Sequence, residues 1–191
     1  METFCPPKSF VDDPNDRQRR RQALNALEVG RIDSPLRPLV RAFGDLSVCY
    51  TLQCCFGHFV HAGQPDPQNL VPLPDEPLTG PIDYRLAYVA LCIQRCHQGR
   101  RLRDALSHIA TIDCQYIQFG CAEWFWRRHP NSFVLQVEPK RYRHLDHVSI
   151  LDCEARHIAR VRDRFFRYLS RIISEYQRAP AASAPVSNHE R

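Results

Sequence analysis

The sequence predicts a single α+β domain, in which a mixed sheet is flanked by helices and a long helix closes the chain. The composition is that of a globular protein, with 43% hydrophobic and 25% charged residues. Apolar residues recur at helical spacing in some segments and alternate in others. The length of 191 residues suits one domain. We expect that domain to span residues 17–178, with a flexible arm at 1–16 and a disordered tail at 179–191.

The first half of the domain predicts two helices and a strand. Residues 17–29 form a short apolar helical face that Gly30 can cap, and residues 35–43 form a second helix with Ser34 as its N-cap. Residues 47–61 are rich in β-forming residues and predict a strand, within which Gly57 marks a turn or a bulge. Six prolines among residues 63–81 exclude regular structure and predict a surface loop or lid.

The second half predicts a strand-helix-strand-strand unit followed by the long helix. Residues 84–94 are apolar on both faces, which is typical of a central, covered strand. Residues 99–109 form an amphipathic helix, and residues 116–126 and 132–139 predict a hairpin. The predicted long helix covers residues 154–177. Its core-facing residues are expected to be Ile158, Val161, Phe165, Leu169, Ile172 and Tyr176.

Charge and cysteine content narrow the class of protein. The formal net charge is +5, and only two of the 26 basic residues, Lys8 and Lys140, are lysines. This charge permits contact with nucleic acid without requiring it. The nine cysteines are odd in number and spread along the chain, so we interpret most of them as small buried hydrophobes in a reducing compartment. The sequence lacks an apolar run of membrane-spanning length and an N-terminal secretion signal, which predicts a cytoplasmic protein without membrane contact.

A first candidate cluster lies in the predicted strand over residues 47–61. It contains Cys54, Cys55, His58 and His61, whose thiolates and imidazoles are ligands that zinc selects. Four ligands within eight residues would strain a strand, so we predict no metal. One cysteine is expected to pack in the core while the histidines line a strand end. The functional alternative is a polar ligand pocket, in which Gly57 allows close approach to the backbone and Cys55 or His58 contacts the ligand. A zinc-binding module is the weaker alternative.

A second candidate cluster contains both tryptophans of the chain. Strand alternation would place Trp124 and Trp126 on one face of the predicted hairpin, with Glu123 and Arg127 on the other. One hypothesis is that the tryptophan face is an apolar surface that packs in the core. The other is a wall that stacks on a flat ring.

In the second hypothesis, Arg127 or Arg128 binds a phosphate or a carboxylate. Glu123 is then the candidate general base, provided that burial raises its pKa. His58, from the first cluster, is the other candidate catalytic residue.

A third feature is an arginine stripe on the predicted long helix, opposite its apolar face. A solvated face is its usual meaning, and a track for a phosphate backbone is the functional alternative. The stripe contains Arg156, Arg160, Arg164, Arg167 and Arg171.

The residues 22–60 resemble the N-terminal part of the wybutosine-synthesis methyltransferase-like family. The matching segments are Gly30-Arg31-Ile32-Asp33 and the run from Tyr50 to His58, in place of the Ser-Cys-Ser-Gly-Arg core of the family. The order of later elements is also similar. The resemblance implies a shared fold and, more distantly, S-adenosylmethionine-dependent methyl transfer to a guanosine of tRNA. The candidate ligand-binding residues Tyr50, Cys54, Cys55 and Gly57 all lie within this matching run.

Two functions therefore remain open. The leading hypothesis is a ligand- or RNA-binding protein, with S-adenosylmethionine as the candidate cofactor and tRNA as the candidate partner. The rival is a non-catalytic interaction module that docks a protein partner through its arginine stripe and its hairpin. The sequence contains no Gly-rich phosphate loop and no common hydrolase motif, so neither hypothesis rests on a known catalytic motif.

Overall fold

The computed structural model describes residues 4–178, which form one α+β domain. Its regular elements comprise eight strands and five helices. The strands are β1 (Phe4–Cys5), β2 (Cys49–Cys55), β3 (His58–Val60), β4 (Ile82–Arg85), β5 (Ala87–Ile93), β6 (Ile117–Ala122), β7 (Ser132–Val137) and β8 (His147–Ile150). The helices are α1 (Asp16–Asn25), α2 (Arg37–Asp45), α3 (His97–Ser107), α4 (Glu123–Arg128) and α5 (Asp152–Arg178).

The strands form two sheets. The main sheet has five strands in the order β1-β6-β7-β5-β2, and the smaller sheet has three in the order β3-β4-β8. Each strand pair among the described residues is antiparallel. The α+β prediction is confirmed, but the predicted mixed sheet is instead two antiparallel sheets. Gly57, at a positive φ of 90°, ends β2 and lets β3 turn into the smaller sheet.

The core lies between one face of the main sheet and helices α2, α3 and α5. The alternate residues Ala87, Val89, Leu91 and Ile93 of β5 are completely buried. Strand β5 lies between β7 and β2, which confirms the predicted central strand. The predicted stripe of α5 is confirmed at its first four positions, whereas Ile173 rather than Ile172 is fully buried near its end.

The region around the two tryptophans differs from its prediction. The two predicted arms do pair antiparallel, as β6 and β7, but β6 ends at Ala122 and the next six residues form α4. Glu123 in the first turn and Arg127 in the last complement the helix dipole, and they form an i,i+4 ion pair at 3.2 Å. Over so short a segment, the pattern of apolar residues fits a strand as well as a helix.

The N-terminal segment is also more structured than the predicted flexible arm. Strand β1 pairs with the end of β6, at Phe4↔Ala122 and Cys5↔Cys121. Further along, the backbone N–H of Val11 donates to Asn131 Oδ1 at 2.8 Å, and Asn131 Nδ2 donates back to the Val11 carbonyl at 2.9 Å. These pairings hold residues 4–16 along the sheet. The predicted tail at 179–191 lies outside the described residues.

The structure also tests the predictions for the cysteines and for membrane contact. Three cysteines are buried, four are half-buried and Cys114 and Cys153 are exposed, so full burial is less common than predicted. Within residues 4–178, none of the helices has the length and the apolar character that crossing a membrane requires.

Candidate functional site

A cleft of about 670 Å³ opens on the face of the main sheet that α2, α3 and α5 leave uncovered. Its floor follows from the strand register. Cys55 of β2 lies opposite Tyr88 of β5, and Tyr88 lies opposite Gln136 of β7. Paired residues share a face of an antiparallel sheet, so these three side chains form one row across the floor. A second row contains Gln53 and Val134.

Two walls rise from this floor. Trp124 and Phe125 of α4 form one wall, and their rings meet edge to face with centroids 4.8 Å apart. The opposite wall comes from the ends of β4 and the segment before β8, and includes Arg85 and Asp146. Trp124 is 54% exposed although it is a large aromatic residue. The cleft therefore combines aromatic surfaces with charged and amide groups, a composition typical of small-molecule sites.

A cluster of Asp33, Cys55 and His58 lies at one end of the cleft. One ligating atom from each residue lies within 4.8 Å of the others. His58 Nε2 is 3.3 Å from Asp33 Oδ2, and His58 Nδ1 is 3.3 Å from the carbonyl oxygen of Asn69. The backbone N–H of Phe56 donates to Asp33 Oδ2 at 2.7 Å. Only Cys55 and His58 of the cluster line the cleft, and Asp33 supports His58 from behind.

The cluster is electrostatically coupled. The hydrogen bond to Asp33, supported by one to Cys55, raises the pKa of His58 to about 10 despite partial burial. Burial opposes ionisation of Asp33, but hydrogen bonds from His58 and Phe56 outweigh it and lower the pKa of Asp33. In the absence of an ion, the cluster therefore holds an imidazolium–carboxylate pair.

A buried acid lies beside Gln136, at the end of the floor row. Glu138 is 2% exposed, and Gln136 Nε2 donates to its Oε2 at 3.0 Å. Burial, reinforced by repulsion from Asp146, raises the pKa of Glu138 to about 8. Glu138 is therefore largely protonated at neutral pH, and it fixes the amide of Gln136 at the cleft surface.

The structure brings part of the predicted site together. Cys54, Cys55 and His58 from the first cluster and Trp124 from the second line the same cleft, although they are about 70 residues apart in the chain. Burial raises the pKa of the Cys54 thiol to about 12, so Cys54 behaves as a packing residue. His61 is absent from the cleft lining.

Tyr50 and Gly57 have roles other than those predicted. Tyr50 is 2% exposed and lies in a separate cavity beneath α1. The bulge between Thr51 and Gln53 separates it from the cleft end of β2. A Cβ on Gly57 would lie 2.7 Å from the Cβ of Ala87, so this glycine accommodates the protein's own packing rather than a ligand.

The remaining residues of the tryptophan cluster lie outside the cleft. Glu123 pairs with Lys8 at 2.5 Å and with Arg127, and the Lys8 hydrogen bond lowers the pKa of Glu123. A general base needs the opposite shift. Trp126 packs edge-on against Phe133 in the core. These positions follow from α4 being a helix, because helical geometry separates Trp124 from Trp126.

Arg128 stacks its guanidinium 4.2 Å from the centroid of the Trp124 ring. It therefore supports the wall of the cleft without lining it.

The arginine stripe is only partly exposed to solvent. Arg156 pairs with Asp152 at 2.8 Å and donates to the carbonyl of Glu76, so it anchors the proline-rich loop. The other four are exposed, and Arg164, Arg167 and Arg171 line a shallow depression with Tyr168.

Sequence reasoning missed Tyr88 on the floor of this site and most of its polar residues. Gln136, Glu138 and Asp146 show no spacing that indicates a site, because sheet register and burial bring them together. Asp33 stands in the Gly30–Asp33 segment that carries the family resemblance, but it was not predicted to contact His58. The 25-residue separation of the pair exceeds any local spacing rule.

Comparisons with known proteins add no activity. No protein-family model matches the chain, and no curated protein matches its sequence. Two solved structures of the PH1069 protein from Pyrococcus horikoshii are similar at 12% and 11% identity, with TM-scores of 0.49 and 0.48. Each match covers 85% of this chain and 94% of the chain in the solved structure.

A hypothetical protein from Aeropyrum pernix is similar at 9% identity with a TM-score of 0.40, over 76% of this chain and 97% of that one. These similarities assign neither a family nor a function to the chain.

Proposed function

We propose that this protein binds a planar ligand of the nucleobase or nucleoside class in the cleft, presented by an RNA strand. The observation that carries this proposal is the convergence of Trp124 and Tyr88 with Cys55 of β2 and His58 of β3 on one cleft. Every nucleobase has a face that stacks on aromatic side chains, and such stacking is worth about 1–3 kcal/mol per base.

The polar groups of the cleft suit the edge and the sugar of such a ligand. The exposed amide of Gln53 offers a donor and an acceptor side by side, the pattern that base edges pair with. Asp146 can accept from sugar hydroxyls, and Arg85 can bind a phosphate. S-adenosylmethionine, which the family resemblance implies, contains an adenosine and belongs to the same ligand class. Methyl transfer to tRNA therefore remains part of the proposal.

Thermal denaturation with guanosine, adenosine and S-adenosylmethionine tests this proposal. A ligand at about 100 times its Kd stabilises the folded state by about 2.7 kcal/mol, which should raise Tm by about 5–10 °C. Replacing Trp124 with alanine should weaken binding about 10- to 100-fold through lost stacking.

The Leu151→Ala variant is the matched control, because Leu151 is 68% exposed and lies outside the cleft lining. The proposal fails when none of the three compounds shifts Tm at saturating concentration.

The arginine-lined depression on α5 supports the proposal that the ligand is presented by RNA. Arg171 stacks on the ring of Tyr168 at 4.4 Å, beside the exposed Arg164 and Arg167. Arginine on a helix surface binds phosphate oxygens through paired N–H groups. Because α5 covers the face of the main sheet opposite the cleft, an RNA that contacts both surfaces must pass around an edge of the sheet before one base enters the cleft.

Replacing Arg164 and Arg167 with glutamine should weaken RNA binding and reduce its dependence on salt. Each lost phosphate contact lowers the slope of log K against log salt by about 0.7–0.9, so the double variant should lose about 1.5. Fluorescence anisotropy with a labelled tRNA at several salt concentrations measures the slope.

The control is the Arg17→Gln/Arg21→Gln variant, which removes the same charge from exposed positions of α1. Equal slopes for the two double variants would contradict a specific role for α5. RNA-independent binding of a protein partner would favour the interaction module instead.

A further inference from the structure

The Asp33–Cys55–His58 cluster has the composition and spacing of a metal site. Its three candidate atoms are a carboxylate oxygen, a thiol sulfur and an imidazole nitrogen, which lie within 4.8 Å of one another. Oxygen and nitrogen ligands bound at about 2.0–2.1 Å to a tetrahedral ion lie about 3.3 Å apart. Asp33 Oδ2 and His58 Nε2 are 3.3 Å apart. A cation can therefore replace the proton between these atoms with little rearrangement.

The presence of the thiol favours a metal site over a simple ion pair. An imidazolium–carboxylate pair needs two groups, whereas Cys55 adds a third, softer donor atom within 4.8 Å of both. A divalent ion of borderline softness needs further ligands, and thiolate is among those that zinc prefers. Cys55 supplies this third ligand from the end of β2, two residues before the turn that carries the chain towards His58.

Each of the three residues also has the outer partner that metal ligands use. His58 Nδ1 lies against the Asn69 carbonyl oxygen, an arrangement that directs Nε2 towards the cluster. Asp33 Oδ2 accepts the Phe56 N–H, and Cys55 Sγ accepts the Gly57 N–H at 3.4 Å. Such backbone partners orient ligands before an ion arrives.

We propose that Asp33, Cys55 and His58 form a mononuclear binding site for a divalent transition-metal ion, with zinc the best match to the ligand set. Three protein ligands leave a fourth tetrahedral position for water or a ligand atom, as in catalytic rather than structural zinc sites. Cys55 and His58 line the cleft, so that position faces it. The inference goes beyond base binding and does not depend on it.

Metal titration of the full chain tests the inference directly. Protein carrying Cys114→Ser and Cys153→Ser, which removes the two exposed thiols, is stripped with a chelator and titrated with Zn²⁺ and Co²⁺. We expect one zinc ion per chain by elemental analysis. The cobalt form should show a thiolate charge-transfer band together with the absorption of tetrahedral cobalt. The inference is overturned if the Cys114→Ser/Cys153→Ser protein binds neither zinc nor cobalt.

Matched variants locate the ion. Cys55→Ser and His58→Gln should each weaken zinc binding at least about 100-fold, the upper end of what even outer partners cost. Cys55→Ser should also abolish the thiolate band. Cys54→Ser removes the neighbouring thiol and should change neither affinity nor band.

Asp33→Asn keeps an acceptor for the Phe56 N–H and provides a conservative third variant if another fails to fold. Undiminished binding by folded Cys55→Ser or His58→Gln protein overturns the assignment. The thermal denaturation with nucleosides can be repeated on protein stripped of metal with a chelator. Because base binding does not depend on the metal, the nucleosides should still raise Tm, so the metal-site proposal can fail while the base-binding proposal stands.

Discussion

Replacing Gly57 with alanine is expected to lower the free energy of unfolding by about 2–6 kcal/mol. The backbone φ of Gly57 is +90°, a conformation that costs a non-glycine residue about 1–3 kcal/mol. The new Cβ would also lie 2.7 Å from the Cβ of Ala87 and 3.3 Å from its Cα. Both atoms are fixed by the backbone of β5, so relief requires the strands to separate, at a further cost of about 1–3 kcal/mol.

Gly80→Ala is the matched control for this substitution. Gly80 has a φ of +98°, but a Cβ there would meet nothing within 4 Å. Its replacement therefore reports the backbone cost alone, about 1–3 kcal/mol. Denaturant unfolding of the three proteins measures the difference. Equal losses in the two variants would contradict the close approach of Gly57 to β5.

Glu138→Gln is expected to stabilise the protein increasingly as pH rises from 5 to 8. The pKa of Glu138 rises from 4.5 to about 8 on folding, so the unfolded chain loses this proton first. Below about pH 4.5 the carboxyl is protonated in both states and contributes no pH dependence. Between the two pKa values, ionisation of the unfolded chain lowers wild-type stability by up to 1.4 kcal/mol per pH unit. Glutamine avoids that loss, so the variant should be about 2–4 kcal/mol more stable at pH 8.

Thermal or denaturant unfolding at pH 5, 6, 7 and 8 measures this effect. The Glu28→Gln variant controls for the loss of one negative charge, because the Glu28 side chain is 67% exposed. A stability difference between Glu138→Gln and wild type that stays constant from pH 5 to 8 would show that Glu138 is ionised in the folded protein.

Strong local patterns explain what the sequence could predict. The apolar run of β5 was confirmed as a central strand, and the stripe of α5 was confirmed at its first four positions. The prolines of residues 63–81 likewise predict a loop, and no regular strand or helix is assigned there. The alternation around Trp124 is ambiguous over six residues, and the helix dipole and the Glu123–Arg127 pair favour α4. Strand β8 was missed because its four residues are too few to show a pattern that distinguishes a strand from a loop or a helix.

The site required information that no single segment carries. Cys55, His58 and Trp124 were recognised by residue type, and only the sheet order shows that β2 and α4 border one cleft. Asp33 meets His58 because the chain before α2 passes the turn at Gly57, which is a tertiary contact. Glu138 resembles any acid at the end of a strand until its burial is known.

The central claim is that Trp124, Cys55 of β2 and His58 of β3 enclose one ligand-binding cleft. A protein with Trp126→Phe retains Trp124 as the sole tryptophan of the chain, so its fluorescence reports this wall alone. We expect guanosine or S-adenosylmethionine to change the Trp124 emission saturably, and Tyr88→Ala on the floor to weaken that response about 10-fold or more. Emission that neither compound changes, or a response that Tyr88→Ala leaves at full affinity, would contradict the claim.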